Sequence, residues 1–182
     1  MTKALLIVDI QNDYFTGGKM ELEGSEAASL RASELLASFR EHRSPVIHVQ
    51  HVSVRPGATF FVPDTEGVKI RANVAPTDQE TVIQKHFPNS FRDTKLLEQL
   101  RQIGVQELVI AGMMTHMCVD ATTRAAADLG FQCSLAHDAC ATRSLSFDGT
   151  KVTAEHVHCS FLAALSGAYA TVRSTKELLT GV

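Results

Sequence analysis

The sequence has no run or stripe of lysine and arginine, and its net charge is −3 with a pI near 6.2. A nucleic-acid surface needs a basic footprint, so no nucleic acid partner is expected. No apolar stretch approaches the roughly 20 residues of a membrane helix, so no membrane partner is expected either. The apolar run within MTKALLIVDIQND ends in Asp9 without a small-residue cleavage site and reads as a first strand, not a signal peptide. No CxxC pair occurs among Cys118, Cys133, Cys140 and Cys159. Reduced thiols and a cytoplasmic location are the expectation. Tryptophan is missing, which excludes no function. Chelating histidine pairs are missing too. His48 and His51 lie three apart on an expected strand and face opposite sides, while His156 and His158 lie two apart on an expected helix and diverge. No metal and no cofactor are expected.

What is present is an ordinary globular composition, 45% hydrophobic and 20% charged over 182 residues. It fits one domain spanning 1–182 with a sizeable core. Short apolar runs alternate with helical stretches. Ala4–Val8 reads as a strand covered on both faces. Ser25 is expected to cap a helix over Glu26–Arg43 that buries Leu30, Leu35, Leu36 and Phe39, with Pro45 ending it. Strands are expected at Val46–Val52, Thr81–Gln84, Glu107–Gly112, Gln132–Ala136 and Tyr169–Val172. Further helices are expected from Asp93 or Thr94 to Ile103, from Cys118 to Gly130, over Val152–Ser166 and over Ser174–Leu179. Ser144–Thr150 reads as a polar loop, and Ser53–Asp78 as a long loop of the kind that often serves function. The alternation predicts an α/β domain with a mainly parallel sheet.

Ligand crevices in such sheets lie outside the carboxyl ends of the strands. Asp9, Lys85 and Cys118 each stand at or just beyond such an end. A thiol needs a base and a positive field to become a nucleophile, and a helix N-terminus adds to that field. Asp9 is the candidate base, Lys85 the candidate cation and Cys118 the candidate nucleophile. Backbone N–H groups of the 113–118 loop are candidates to receive an oxyanion. Packing is the competing reading for a lone cysteine, turn capping for a lone strand-end aspartate and solvation for a lone lysine. Gln11 reads as pocket-facing or as a loop anchor. Tyr14, Phe15, Phe60, Phe61, Phe87 and Phe91 read as pocket walls or as core, and His116 as pocket-facing or as a solvated loop residue.

VDIQND around Asp9, VIQKHFPNSF around Lys85, AGMMTHMCVDATTRAA around Cys118 and the HDACAT segment together resemble the isochorismatase-like cysteine hydrolases, including the nicotinamidase-related amidases. The resemblance implies a three-layer Rossmann-like domain with a six-stranded mainly parallel sheet and no nucleotide. It implies an Asp9–Lys85–Cys118 triad and a cis peptide at Met113–Met114, with the N–H groups of Met114 and Cys118 as oxyanion hole. It also implies a small-molecule substrate and a homo-oligomer, dimer or tetramer. The nicotinamidase branch resembles a metalloenzyme with an Asp-x-His after the second strand. Val49–Ser53 (VQHVS) departs from that pattern. The expected chemistry is cleavage of a C–N bond in a small amide, ureide or lactam through a Cys118 thioester. The alternatives are an isochorismatase-type vinyl-ether hydrolase and a non-catalytic reactive-thiol protein.

Overall fold

The computed structural model describes residues 2–180. One sheet is built from six strands: β1 (Thr2–Val8), β2 (Val46–His51), β3 (Thr81–Lys85), β4 (Val105–Met113), β5 (Gln132–Ala141) and β8 (Thr171–Arg173). Their order across the sheet is β3-β2-β1-β4-β5-β8. Every pairing among them is parallel. From central β1 the chain moves outward through β2 and β3, then returns to β4 and moves outward through β5 and β8. The topological switch therefore lies between β1 and β4, where open α/β sheets place their crevice.

Period-two burial explains the three layers. Leu5 and Ile7 of β1 join Val109, Ala111 and Met113 of β4 in one core cluster. That cluster includes Leu35, Leu36 and Phe39 of α1 (Ser25–Glu41) and Leu178 of α5 (Thr175–Leu179). Ala4, Leu6 and Val8 join Leu108 and Ile110 in the opposite cluster. There they meet Leu96 and Leu100 of α2 (Leu96–Gln102), Ala126 of α3 (Asp120–Asp128) and Leu165 of α4 (Ala154–Leu165). The expected three-layer α/β fold with a six-stranded parallel sheet is thus observed.

Several local expectations are corrected. Ser25 is the first helical residue of α1, not its cap. Gly24 holds the cap position at φ 75°, and the Ser25 hydroxyl donates to Leu22 O. Leu30 is 59% exposed, because Ala28, Ser29, Ala32, Leu35, Leu36 and Phe39 make the buried stripe and the small residues let α1 approach the sheet. Residues 93–95 do not join α2, which begins at Leu96. Strand β5 continues to Ala141, so the HDACAT segment is largely strand, with a register shift opposite Ile110 and Gly112. The expected loop at 144–150 is instead a hairpin of β6 (Leu145–Phe147) and β7 (Thr150–Val152). Its two-residue turn has positive φ at both Asp148 and Gly149, as a type I′ turn requires.

Candidate active site

Three strand ends converge beside the switch point. Asp9 directly follows β1 in the left-handed region (φ 52°), which Asp tolerates better than most side-chain-bearing residues. Its N–H donates to Val49 O, tying it to β2. Lys85 closes β3 and is in register with His51, the last residue of β2. Asp9 and Lys85 are fully buried, and Lys85 Nζ lies 2.7 Å from Asp9 Oδ2.

Cys118 reaches the same point from the other side of the switch. It sits in a single π-helical turn, Thr115–Val119, inserted between β4 and α3. Such turns often occur at functional sites. The nucleophile candidate thus precedes α3 by two residues and does not open it. The peptide bond between Met113 and Met114 is cis. Cys118 Sγ is 3.2 Å from Lys85 Nζ, and Lys85 also donates to Phe87 O at 3.1 Å.

The electrostatics follow from burial and these contacts. Burial pushes the Cys118 thiol up, the Asp9 charge pushes it further, and Lys85 offsets this only in part. The resting sulfur is therefore a thiol. Burial disfavours the Lys85 ammonium, but the Asp9 charge, the Cys118 sulfur and the hydrogen bonds to both outweigh it and raise the Lys85 pKa. Burial also raises the Tyr14 phenol, reinforced by Cys118 and Asp9.

Cys118 is at the floor of a cavity of about 420 Å³. Its apolar wall is Val54, Phe60, Phe87, Pro88, Met114 and Met117, and its polar lining is Tyr14, His51, Ser53, Arg55 and His86. The volume suits a small ligand. Ligand atoms of Asp9, His51 and Cys118 lie within 4.8 Å of one another, a geometry that could hold a metal. The Lys85 ammonium already stands among them, 2.7 Å from Asp9, 3.0 Å from His51 and 3.2 Å from Cys118. A divalent ion would meet that charge at contact distance, so this donor set does not fit a metal.

The isochorismatase domain model matches residues 3–177. The chain belongs to the isochorismatase family. An uncharacterised isochorismatase family protein of Bacillus subtilis is 52% identical, covering 98% of this chain and 99% of that one. A solved structure from Oleispira antarctica, assigned to the isochorismatase hydrolases, superimposes with a TM-score of 0.94 at 50% identity, covering 99% of this chain and 97% of its own. Nicotinamidase 3 of Arabidopsis thaliana is 30% identical, covering 76% of this chain and 73% of that one. The motif resemblance is borne out, and the protein is an isochorismatase-like hydrolase in a family that includes amidases.

The structure of this isochorismatase-family chain brings Cys118, Met114 and Phe60 to the cavity lining, with Lys85 fully buried in contact with both Cys118 and the buried Asp9. Other expected site residues lie elsewhere. Gln11 is buried and does not line the cavity. Its amide accepts from His51 N–H at 2.8 Å and donates to His51 O at 2.9 Å and Val68 O at 2.7 Å. It is the loop anchor, because backbone groups take both of its amide N–H donors and engage its oxygen. Phe15 is buried in the core under the Arg71 guanidinium. Phe61 is also buried and stands one layer behind the wall, edge-on to Tyr14. Phe91 packs on Phe131, away from the site. His116 is neither solvated nor pocket-lining. Its Nδ1 meets the Thr142 hydroxyl and its ring meets Phe161.

Sequence reasoning missed His51, weighing it only as half of a chelating pair. It missed Met117, which lies beside the nucleophile candidate in the sequence, although a π turn that splays this residue toward the cavity leaves no periodic signal. It also missed the role of Asp13. That buried carboxylate accepts from Phe61 N–H at 2.6 Å and Lys19 N–H at 3.1 Å, and a Cβ on Gly67 would meet it at 2.2 Å. Asp13 thereby fastens the long 53–78 loop over the site, so that Phe60 of the same chain walls the cavity.

Proposed function

We propose that the protein is a cysteine hydrolase that cleaves a C–N bond of a small amide, ureide or lactam through a thioester on Cys118. One observation carries this reading: a buried ammonium contacts both a carboxylate and a thiol, and that thiol floors a mostly apolar cavity. A structural cysteine needs no such partners, and burying them is costly unless they are used.

The proton balance favours concerted activation. While Asp9 is charged it opposes ionisation of Cys118. Moving the thiol proton to Asp9 removes that opposition and leaves the thiolate facing Lys85 alone, with no change in net charge. Sγ then bonds to the substrate carbonyl carbon, and the C=O π pair moves to oxygen. The N–H groups of Met114 and Cys118 receive the oxyanion. As the carbonyl reforms, the C–N bond breaks, and the nitrogen takes the proton held by Asp9. Asp9 next takes a proton from water as the hydroxide equivalent attacks the thioester. The thiolate leaves and recovers its proton, releasing a carboxylic acid. Lys85 keeps the site electropositive and orients Asp9 throughout. Relatives named as amidases support the bond class. The mostly apolar wall supports a small uncharged substrate.

A panel of carboxamides, lactams and ureides, assayed for released amine or ammonia, tests the reading. At least one small member is expected to be turned over with a kcat of order 1 per second or more. Turnover confined to vinyl ethers would overturn it.

A further inference from the structure

The Lys85 ammonium has three protons and four acceptors within 3.2 Å: Asp9 Oδ2, His51 Nδ1, Phe87 O and Cys118 Sγ. With Cys118 resting as a thiol, the count closes on the other three. An ammonium can only donate, so the lone pair of His51 must lie on Nδ1. Burial and the Lys85 charge hold the His51 pKa down at about 4, so the ring is neutral at pH 7 and its single proton sits on Nε2.

The ring is also held in place. Gln11 clamps the His51 backbone N–H and C=O, and Phe61 packs 5.8 Å from the imidazole between centroids. His51 lines the cavity beside Cys118 and Tyr14. Its Nε2 has no protein hydrogen-bond partner among the described residues and is not sealed from solvent. A fixed, neutral donor therefore borders the substrate space beside Cys118, in a lining whose other polar residues are Tyr14, Ser53, Arg55 and His86.

We infer that His51 is a specificity-determining residue, whose Lys85-imposed tautomer presents Nε2–H to a hydrogen-bond acceptor on the body of the substrate, apart from the carbonyl under attack. What the donor meets rests on the amide-hydrolysis reading; where the proton sits does not. The chemical class is narrowed to small amides that carry a second acceptor, such as a ring oxygen or ring nitrogen. When Sγ becomes a thiolate, Lys85 has a new acceptor to serve, and the N–H it gives to His51 Nδ1 is one it can turn to the sulfur while keeping the proton.

Two substitutions separate the roles. His51→Asn keeps an acceptor near the Nδ1 position and removes the cavity donor, while His51→Gln keeps a donor near the Nε2 position and loses the acceptor for Lys85. The probes are tetrahydropyran-4-carboxamide and cyclohexanecarboxamide, which differ in one ring oxygen. Their dissociation constants are measured on Cys118→Ala protein with His51 intact, and again with His51→Asn or His51→Gln added. With His51 intact or replaced by His51→Gln, the acceptor-bearing amide is expected to bind about tenfold more tightly, the worth of one neutral hydrogen bond. With His51→Asn the two amides are expected to bind equally. An unchanged ratio in His51→Asn, or no preference with His51 intact, overturns the inference. Nitrogen-15 spectra of the histidine rings at pH 7, with His51 assigned by its loss in His51→Gln, supply a readout independent of activity. The Nε2–H tautomer is expected, and an Nδ1–H or doubly protonated ring overturns the inference. Failure of the amidase reading shows separately, as absence of turnover of any amide by the unsubstituted protein.

Discussion

At the scale of single residues, Asp9 has two opposed effects on Cys118. As a fixed charge it raises the thiol pKa, after burial the largest cause. As a base it is the group close enough to take the proton, with its carboxylate within 4.8 Å of Sγ. The two effects separate in Asp9→Asn, which removes the charge and the base together while leaving Lys85. Alkylation of Cys118 by iodoacetamide at pH 7 is expected to become faster in that variant, because the thiolate then faces only a cation. Amide turnover is expected to fall by at least a hundredfold, in line with the loss of a general base. An unchanged alkylation rate would mean that the carboxylate does not act on the sulfur. The strand-end residues themselves were legible in the sequence, since each follows a buried apolar run. Their contacts were not, because lining up strand ends along one sheet edge does not say which side chains turn inward. Gln11 and His51 show the difference: one is consumed by backbone hydrogen bonds and the other opens onto the cavity, although both follow apolar segments.

At the scale of elements, the site depends on how closely β1 and β4 approach at the switch. Gly112 pairs with Val8, and a Cβ there would lie 2.0 Å from Val8 O, in a backbone conformation (φ 142°) that L residues rarely adopt. Gly112→Ala is expected to cost about 3 kcal/mol or more and to displace Asp9, which follows Val8. Urea unfolding measures the first effect and residual turnover the second. A variant within about 0.5 kcal/mol of the parent, the usual range for a neutral surface change, would show that the two strands can part without loss. Six strands and the major helices were readable from period and punctuation. The β6–β7 hairpin was not read, although Asp148–Gly149 is a strong turn signal, because flanking strands of three residues carry little alternation. Residue Leu30 fell outside the buried face of α1 because apolarity alone cannot distinguish a stripe built on Ala28, Ser29 and Ala32 from one built on leucines.

At the scale of the whole molecule, four imidazoles are held neutral by the fold. Burial lowers the pKa of His48, His51, His116 and His158, the second of these to about 4. Unfolded, these groups take up protons near pH 6.5, so the unfolded chain binds more protons below that value and stability falls with pH. Glu80 adds to this at lower pH. Burial raises its pKa, but hydrogen bonds from Arg40, Thr77 N–H and His48 outweigh it and bring it to about 2, so its contribution is lost below about 4.5. The urea midpoint is therefore expected to drop steadily from pH 7 to pH 4, and a flat profile would contradict the neutral buried histidines. No helix among the described residues is long and apolar enough to cross a membrane. The family and the three-layer sheet were legible because motifs and alternation extend over the chain. The cavity was not, since Ser53, Val54, Arg55 and Phe60 of its lining come from the 53–78 loop, which is held by a carboxylate at Asp13 that no periodicity marks. The central claim is that a covalent acyl group passes through Cys118. Intact-mass spectrometry of protein quenched in acid during turnover of a small amide tests it most directly. The account predicts a mass increase equal to the acyl group, located on the Cys118 peptide, absent from Cys118→Ala, which is also inactive while keeping its fold. Undiminished hydrolysis by Cys118→Ala would contradict it.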